Sequence, residues 1–194
     1  MTAPGQPAPP AMRAEGVAVV GFGGGCHWCT EAVFAALRGV ARVEQGWARA
    51  PAPDDAWSEA VRVAFRPAAI GLDVLAEIHL RTHSSASEHA MRAKYRSAVY
   101  TTGAAQHARA ERILAARRRG DDVDYVTRAL PLAGFRINDE TYLDYYRTRP
   151  DAPFCTRYID PKLAMLRDRY AAHVRDGSAT GSATGGAERP AARR

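Results

Sequence analysis

Val17-Ala18-Val19-Val20-Gly21-Phe22-Gly23-Gly24-Gly25-Cys26-His27-Trp28-Cys29-Thr30-Glu31-Ala32-Val33-Phe34 is the stretch around which the other residues arrange themselves. Its first six residues are a short apolar, β-branched run of the kind a buried strand uses, and the glycines that follow permit a tight turn with exposed backbone. Beyond them Cys29, Val33 and Leu37 recur at helical spacing. Cys26 therefore falls in the first turn of a helix. There, unpaired N–H groups and the helix dipole favour an anion and lower a thiol from its free pKa of about 8.5. Cys26 is expected to be a nucleophile. A free cysteine is otherwise a small buried hydrophobe, and for Cys29, on the apolar stripe, that reading and a chemical one both stand. Gly-Gly-Cys as a lipoprotein processing site is disfavoured, because the apolar run is short and the only basic residue ahead of it is Arg13.

The chain has 194 residues, 46% of them hydrophobic and 25% charged, enough to bury a proper core. Its net charge is +6, of which the last eighteen residues carry +2. No long basic run is interleaved with aromatics, so nucleic acid is not an expected partner; Arg117-Arg118-Arg119 runs at once into Asp121-Asp122 and reads as a solvated helix end. No apolar stretch approaches the 18 or so residues a membrane helix needs, and no signal peptide is evident, so a cytoplasmic monomer without membrane contact is expected. Three cysteines in that compartment suggest redox chemistry or metal rather than a disulfide framework. The histidines at 79, 83, 89 and 107 form no ligand spacing with the cysteines, so neither metal nor cofactor is expected. Residues 1–15, rich in Pro and Ala, read as a disordered leader, residues 16–176 as one catalytic domain, and residues 177–194 as a flexible low-complexity tail.

The element order is strand 17–22, helix 26–37, strand 40–47, a loop, strand 57–65, helix 72–82, an irregular segment 83–95, strand 96–100 and helix 104–118. This β-α-β-β-α-β order is the split, ferredoxin-like arrangement: an α+β fold with a two-layer mixed sheet, helices over one face and an irregular C-terminal extension. Residues 126–130 are expected to add an edge strand. A loop, a helical turn over 140–146 and a helix over 161–174 complete the chain. In Trp57-Ser58-Glu59-Ala60-Val61-Arg62-Val63-Ala64-Phe65, alternation puts Glu59 on one face with Trp57, Val61, Val63 and Phe65. A carboxyl held among apolar side chains is pushed toward its neutral form and suits a general acid, unless it swings out to water. Tyr95 precedes the strand expected at the sheet's centre, as a hydrogen-bond donor or a packing residue.

Gly-Gly-Cys26-His27-Trp28-Cys29-x-Glu31-x-x-Phe34, Gly39-Val40, Ser58-Glu59-Ala60-Val61-Arg62-Val63, Tyr95-Arg96-Ser97 and Tyr158-Ile159-x-Pro161-Lys162-Leu163 occur in one order. In this the chain resembles the A-type peptide methionine sulfoxide reductases, over about residues 17–170. The resemblance implies that Cys26 attacks the sulfur of methionine-S-sulfoxide, free or in a protein, that Glu59 donates the proton with which the oxygen departs, and that Tyr95 hydrogen-bonds that oxygen. The products would be methionine and a Cys26 sulfenic acid, which condenses with a second thiol to a disulfide that thioredoxin or a similar dithiol reduces. His27, Trp28 and Trp47 would fall at the substrate.

Several positions depart from the family pattern. His27 replaces the usual Phe, which with Trp28 seats the substrate methyl group; Trp47 replaces a site tyrosine; and Ala90 stands where an aspartate usually supports the site, with Glu88 or His89 as substitutes. Two other classes therefore stay open: a Cys26-x-x-Cys29 dithiol oxidoreductase or redox sensor, and an interaction module that has kept the fold. Two thiols compete to resolve the sulfenic acid. Residues three apart in a helical turn have Cβ atoms about 5–6 Å apart and a disulfide wants about 3.5–4.5 Å, so Cys29 needs only a modest adjustment. Cys155, in a proline-punctuated loop, fits the family habit of recycling through a C-terminal cysteine. It is preferred, because Cys29 would have to leave the apolar stripe.

Overall fold

The computed structural model describes residues 16–88 and 90–176. The expected leader and tail, and His89, lie outside the described residues. The first strand, β1 (Ala18–Gly23), ends in the glycine loop, and α1 (His27–Ala35) follows directly. After β2 (Val40–Arg49) and β3 (Ser58–Phe65) come α2 (Leu72–Thr82), β4 (Ala98–Thr101) and α3 (Ala104–Asp121). Helix α2 has the bounds its periodicity predicts: Leu72, Leu75, Ala76 and His79 recur at i, i+3, i+4 and i+7, and all are buried.

Six strands form one sheet in the order β5-β4-β1-β3-β2-β6, with β5 (Arg128–Pro131) and β6 (Gly134–Ile137) at its edges. The inner four, β4-β1-β3-β2, are the split arrangement; all pair antiparallel, and only β5 joins β4 in parallel. The centre is therefore β1 and β3. The strand after Tyr95, expected there, lies one place in from the edge. Strand β6 falls where the sequence predicts a loop: its four residues have no period of their own, and their extended form comes from pairing with the free edge of β2.

All eight residues of β3 are buried, because both faces of the sheet are covered. On the helical face Val61, Val63 and Phe65 pack with Phe22, Phe34, Leu75 and Ile78, and the Phe22 and Phe34 rings stack 4.4 Å apart. The other face is thin, built of Ala48, Ala60 and Ala98 against Tyr100 and Phe135. There Arg62 and Glu44, paired across β3 and β2, make a buried ion pair of 2.7 Å. The arginines at the end of α3 are not simply solvated: Arg117 pairs with Glu77, and Arg118 donates to the Tyr125 and Thr127 carbonyls, tying α3 to the strand that follows.

The C-terminal part is a 3₁₀ turn (Glu140–Tyr142), the short α4 (Tyr145–Thr148), a π-helical turn (Cys155–Ile159) and α5 (Asp160–Arg169). The helix expected over 161–174 stops at Arg169, and the chain then makes a separate 3₁₀ turn, Ala171–His173. None of the helices is long and apolar enough to cross a membrane, among the described residues.

Candidate active site

Cys26 is the residue at which strand geometry becomes helix geometry. Its φ and ψ of −56° and 128° are extended, yet its carbonyl already accepts from the Thr30 amide at 3.2 Å and the Thr30 hydroxyl at 3.1 Å, so it is the N-cap of α1. The loop before it can make this turn only with glycine. Gly24 has φ +139°, and a Cβ there would stand 2.5 Å from the His83 ring. That ring is itself fixed, Nδ1 donating to the His79 carbonyl at 2.5 Å and Nε2 accepting from the Ser97 hydroxyl at 2.8 Å; burial holds it down to about pKa 4 and so neutral. A floor of His83 and Ser97 thus sets the height of the cysteine loop.

The Cys26 thiol is brought down to about pKa 7. Its hydrogen bond from the Cys29 thiol contributes most; burial opposes, and the Trp28 and Cys29 amides at the open helix end assist. Cys29 moves the other way, since it is the donor and is buried. It therefore sits on the apolar stripe and also touches Cys26, two positions that the sequence set against each other. Both cysteines line an open groove of about 510 Å³ with Gly25, His83, Phe154 and Lys162.

Glu59, at the start of β3, is buried beside this helix end. It is not the isolated carboxyl among apolar side chains that alternation suggests. Its Oε1 lies 3.2 Å from the Lys94 ammonium, and its Oε2 3.3 Å from both the backbone N–H of His27, which donates to it, and His27 Nδ1. The Lys94 carbonyl accepts from the Glu59 amide and the Ser58 hydroxyl, both at 2.9 Å, so the segment that ends in Tyr95 is pinned to β3. The same ammonium stands 5.1 Å from the centre of the Tyr95 ring, and Tyr95, with Glu59 adding, raises the Lys94 pKa. The structure thus joins Cys26, Glu59, Tyr95 and His27 in one cluster, with Lys94 as a member that pattern did not single out. Ala90 is exposed, and Glu88, also exposed, acts on Arg92.

Trp28 lies over the outer side, its ring 4.1 Å from Tyr145 and nearly parallel to it, with Phe154 edge-on at 5.5 Å. His27 is buried and its imidazole is held below the ordinary value, chiefly by burial, with Lys94 adding to the effect and Glu59 and the Gly46 carbonyl opposing it. A neutral ring is therefore the one to consider. Trp47 reaches His27 only edge-on, at 6.2 Å between ring centres, and its indole N–H donates to Asn138 at 3.1 Å. Cys155 does not lie in a loop. It opens the π-helical turn, fully buried, and its thiol donates to the Arg149 carbonyl at 3.2 Å.

Comparison with known proteins adds to this geometry. A family model described as peptide methionine sulfoxide reductase matches residues 18–174. The peptide methionine sulfoxide reductase MsrA of Deinococcus radiodurans is 32% identical over 171 residues, 79% of this chain and 82% of its own length. Methionine sulfoxide reductase A of Corynebacterium diphtheriae shares the fold, with a TM-score of 0.62 at 22% identity over 72% of this chain and 78% of that one. Mxr1 of Saccharomyces cerevisiae, solved in complex with Trx2, does so at 0.53 and 17% over 65% and 83%. With its family model spanning nearly the whole of the described fold, the chain belongs to the peptide methionine sulfoxide reductases, a family of oxidoreductases.

Proposed function

We propose that this chain reduces methionine-S-sulfoxide to methionine, with Cys26 as nucleophile, Glu59 as proton donor and Cys29 as the thiol that resolves the intermediate. The observation that carries the reading is one helix end that has Cys26 as its N-cap and Cys29 three residues on, both lining one groove, beside the buried Glu59 carboxyl. The Cys26 sulfur takes the sulfoxide oxygen, the oxygen receives a proton through Glu59, and the S–O bond to the substrate breaks as methionine leaves. Cys26 is then a sulfenic acid. Attack by Cys29 forms the S–S bond and expels water, and an external dithiol restores both thiols as it is oxidised to its own disulfide. Tyr95, beside Lys94, is the hydroxyl available to hold the oxygen, and Trp28 the apolar wall for the methyl group.

Cys29 takes the resolving role here because it lines the same groove as Cys26, one helical turn away, whereas Cys155 would have to give up a buried site and its bond to Arg149. The yeast relative's complex with Trx2 supports a thioredoxin as the external dithiol. The Cys26–Cys29 contact also suits a plain dithiol oxidoreductase, and Glu59 separates the two. Glu59→Gln should slow sulfoxide reduction by roughly 10²–10⁴-fold, the scale of a positioned general acid, while Cys26 still alkylates at its normal rate. Unchanged turnover in that variant would favour the dithiol reading.

A further inference from the structure

Beside His27 runs a chain of side chains, the half-buried Asn138 and the buried Gln45 among them, whose donors and acceptors can be assigned one after another. Trp47 Nε1 can only donate, and it donates to Asn138 Oδ1 at 3.1 Å. The Asn138 NH₂ therefore faces the other way. It donates to Gln45 Oε1 at 3.2 Å and stands 3.1 Å from His27 Nε2. The Gln45 orientation agrees, because its own NH₂ is used by Glu31 Oε2 at 2.7 Å and the Tyr142 carbonyl at 2.6 Å, leaving Oε1 to accept. The NH₂ pointed at Nε2 makes that nitrogen the acceptor, against the Gly46 carbonyl, which favours an Nε2–H; with Asn138 prevailing, the single hydrogen of a neutral imidazole is on Nδ1. His27 Nδ1 is buried, makes no hydrogen bond, and stands 3.3 Å from Glu59 Oε2.

We propose that Asn138 is a positioning residue for the reductase reaction, locking His27 in the tautomer whose Nδ1–H faces Glu59. The proposal rests on the reductase reading above. As Glu59 gives its proton to the departing oxygen, negative charge develops on the carboxyl. Lys94 stands 3.2 Å from one of its oxygens and His27 Nδ1 3.3 Å from the other without a hydrogen bond, so a small turn of the ring that closes this contact as the charge grows would favour the transition state over the resting state, which is the condition for accelerating the reaction. His27 keeps its own proton throughout. On this account Trp47 and His27 are parts of the support behind the carboxyl rather than seats for the substrate methyl group. The side chains that complete that support are Gln45, from β2, and Asn138, the residue after β6.

The test uses the full chain, labelled with ¹⁵N, and reads the tautomer of His27 from its ring nitrogens by NMR, with His27→Gln identifying the signals. Nδ1 as the protonated nitrogen and Nε2 as the bare one is the expected result; the reverse overturns the proposal. Asn138→Asp, which cannot donate to Nε2, should move the proton to Nε2. It should also slow the first turnover of methionine-S-sulfoxide about ten- to a hundredfold, the scale of one hydrogen bond to a charged group, with the Cys26 alkylation rate unmoved. Should that variant not fold, His27→Gln, which keeps an acceptor for Asn138 but loses the Nδ1 donor, should be slowed likewise. A wild type that yields no methionine contradicts the reductase reading itself. A wild type that does so while the folded variant keeps its rate within about twofold contradicts the positioning role alone.

Discussion

At the scale of single residues, the proposed nucleophile Cys26 has its pKa lowered chiefly by the neighbouring Cys29 thiol acting as donor. A hydrogen bond to the charged form of a group favours that form, so removing the donor should raise the Cys26 pKa. In Cys29→Ala the midpoint of Cys26 alkylation by iodoacetamide, followed against pH, should move up from about 7 toward the ordinary thiol value of about 8.5. A midpoint that stays near 7 would assign the activation to the helix end alone. Cys26 was legible because three glycines, a strand and a helical stripe converge on it, and Glu59 because strand alternation isolates one ionisable side chain. Lys94 and Asn138 were not. Each is a polar residue in a stretch without period, and its role comes from what the fold sets opposite it: the Glu59 carboxyl in one case, His27 and Trp47 in the other.

Among the elements, the glycine loop between β1 and α1 depends most on a partner distant in sequence. Gly24→Ala would place a Cβ at φ +139° against a His83 ring that two hydrogen bonds hold in place. Strain of this kind costs about 1–3 kcal/mol, and urea unfolding should show a loss on that scale together with slower alkylation of Cys26. Unchanged stability would show that the loop can re-form around an alanine. The strongly periodic elements, such as α2, were legible to the residue. Two elements were not. Strand β6 exists because the edge of β2 offers it hydrogen bonds, and the π-helical turn that holds Cys155 has no periodic signature, so prolines at 150 and 153 suggest a loop where the chain enters a helical turn that buries Cys155 and Ile159.

Over the whole molecule, the two faces of the sheet divide the work. One carries the helices, the thiols and the groove; the other is closed by small residues and the Arg62–Glu44 pair, where truncating one partner would leave a buried charge. The split arrangement was readable from the order of elements alone, because glycines and Pro67 punctuate the strands and α2 carries a clear helical period. Which residues meet at the end of β1 and β3 was not, since that depends on segments after β3 folding back over α1. The central claim is that Cys26 is oxidised by one sulfoxide and passes that oxidation to Cys29. It is tested most directly by mixing the reduced full-length protein with each epimer of a blocked methionine sulfoxide, without reductant, and measuring methionine and the disulfide by mass spectrometry. The S epimer should give one methionine per chain and a Cys26–Cys29 disulfide, the R epimer none, and Cys26→Ser none. Equal yields from both epimers, methionine from Cys26→Ser, or a Cys26–Cys155 bond in its place would contradict the account.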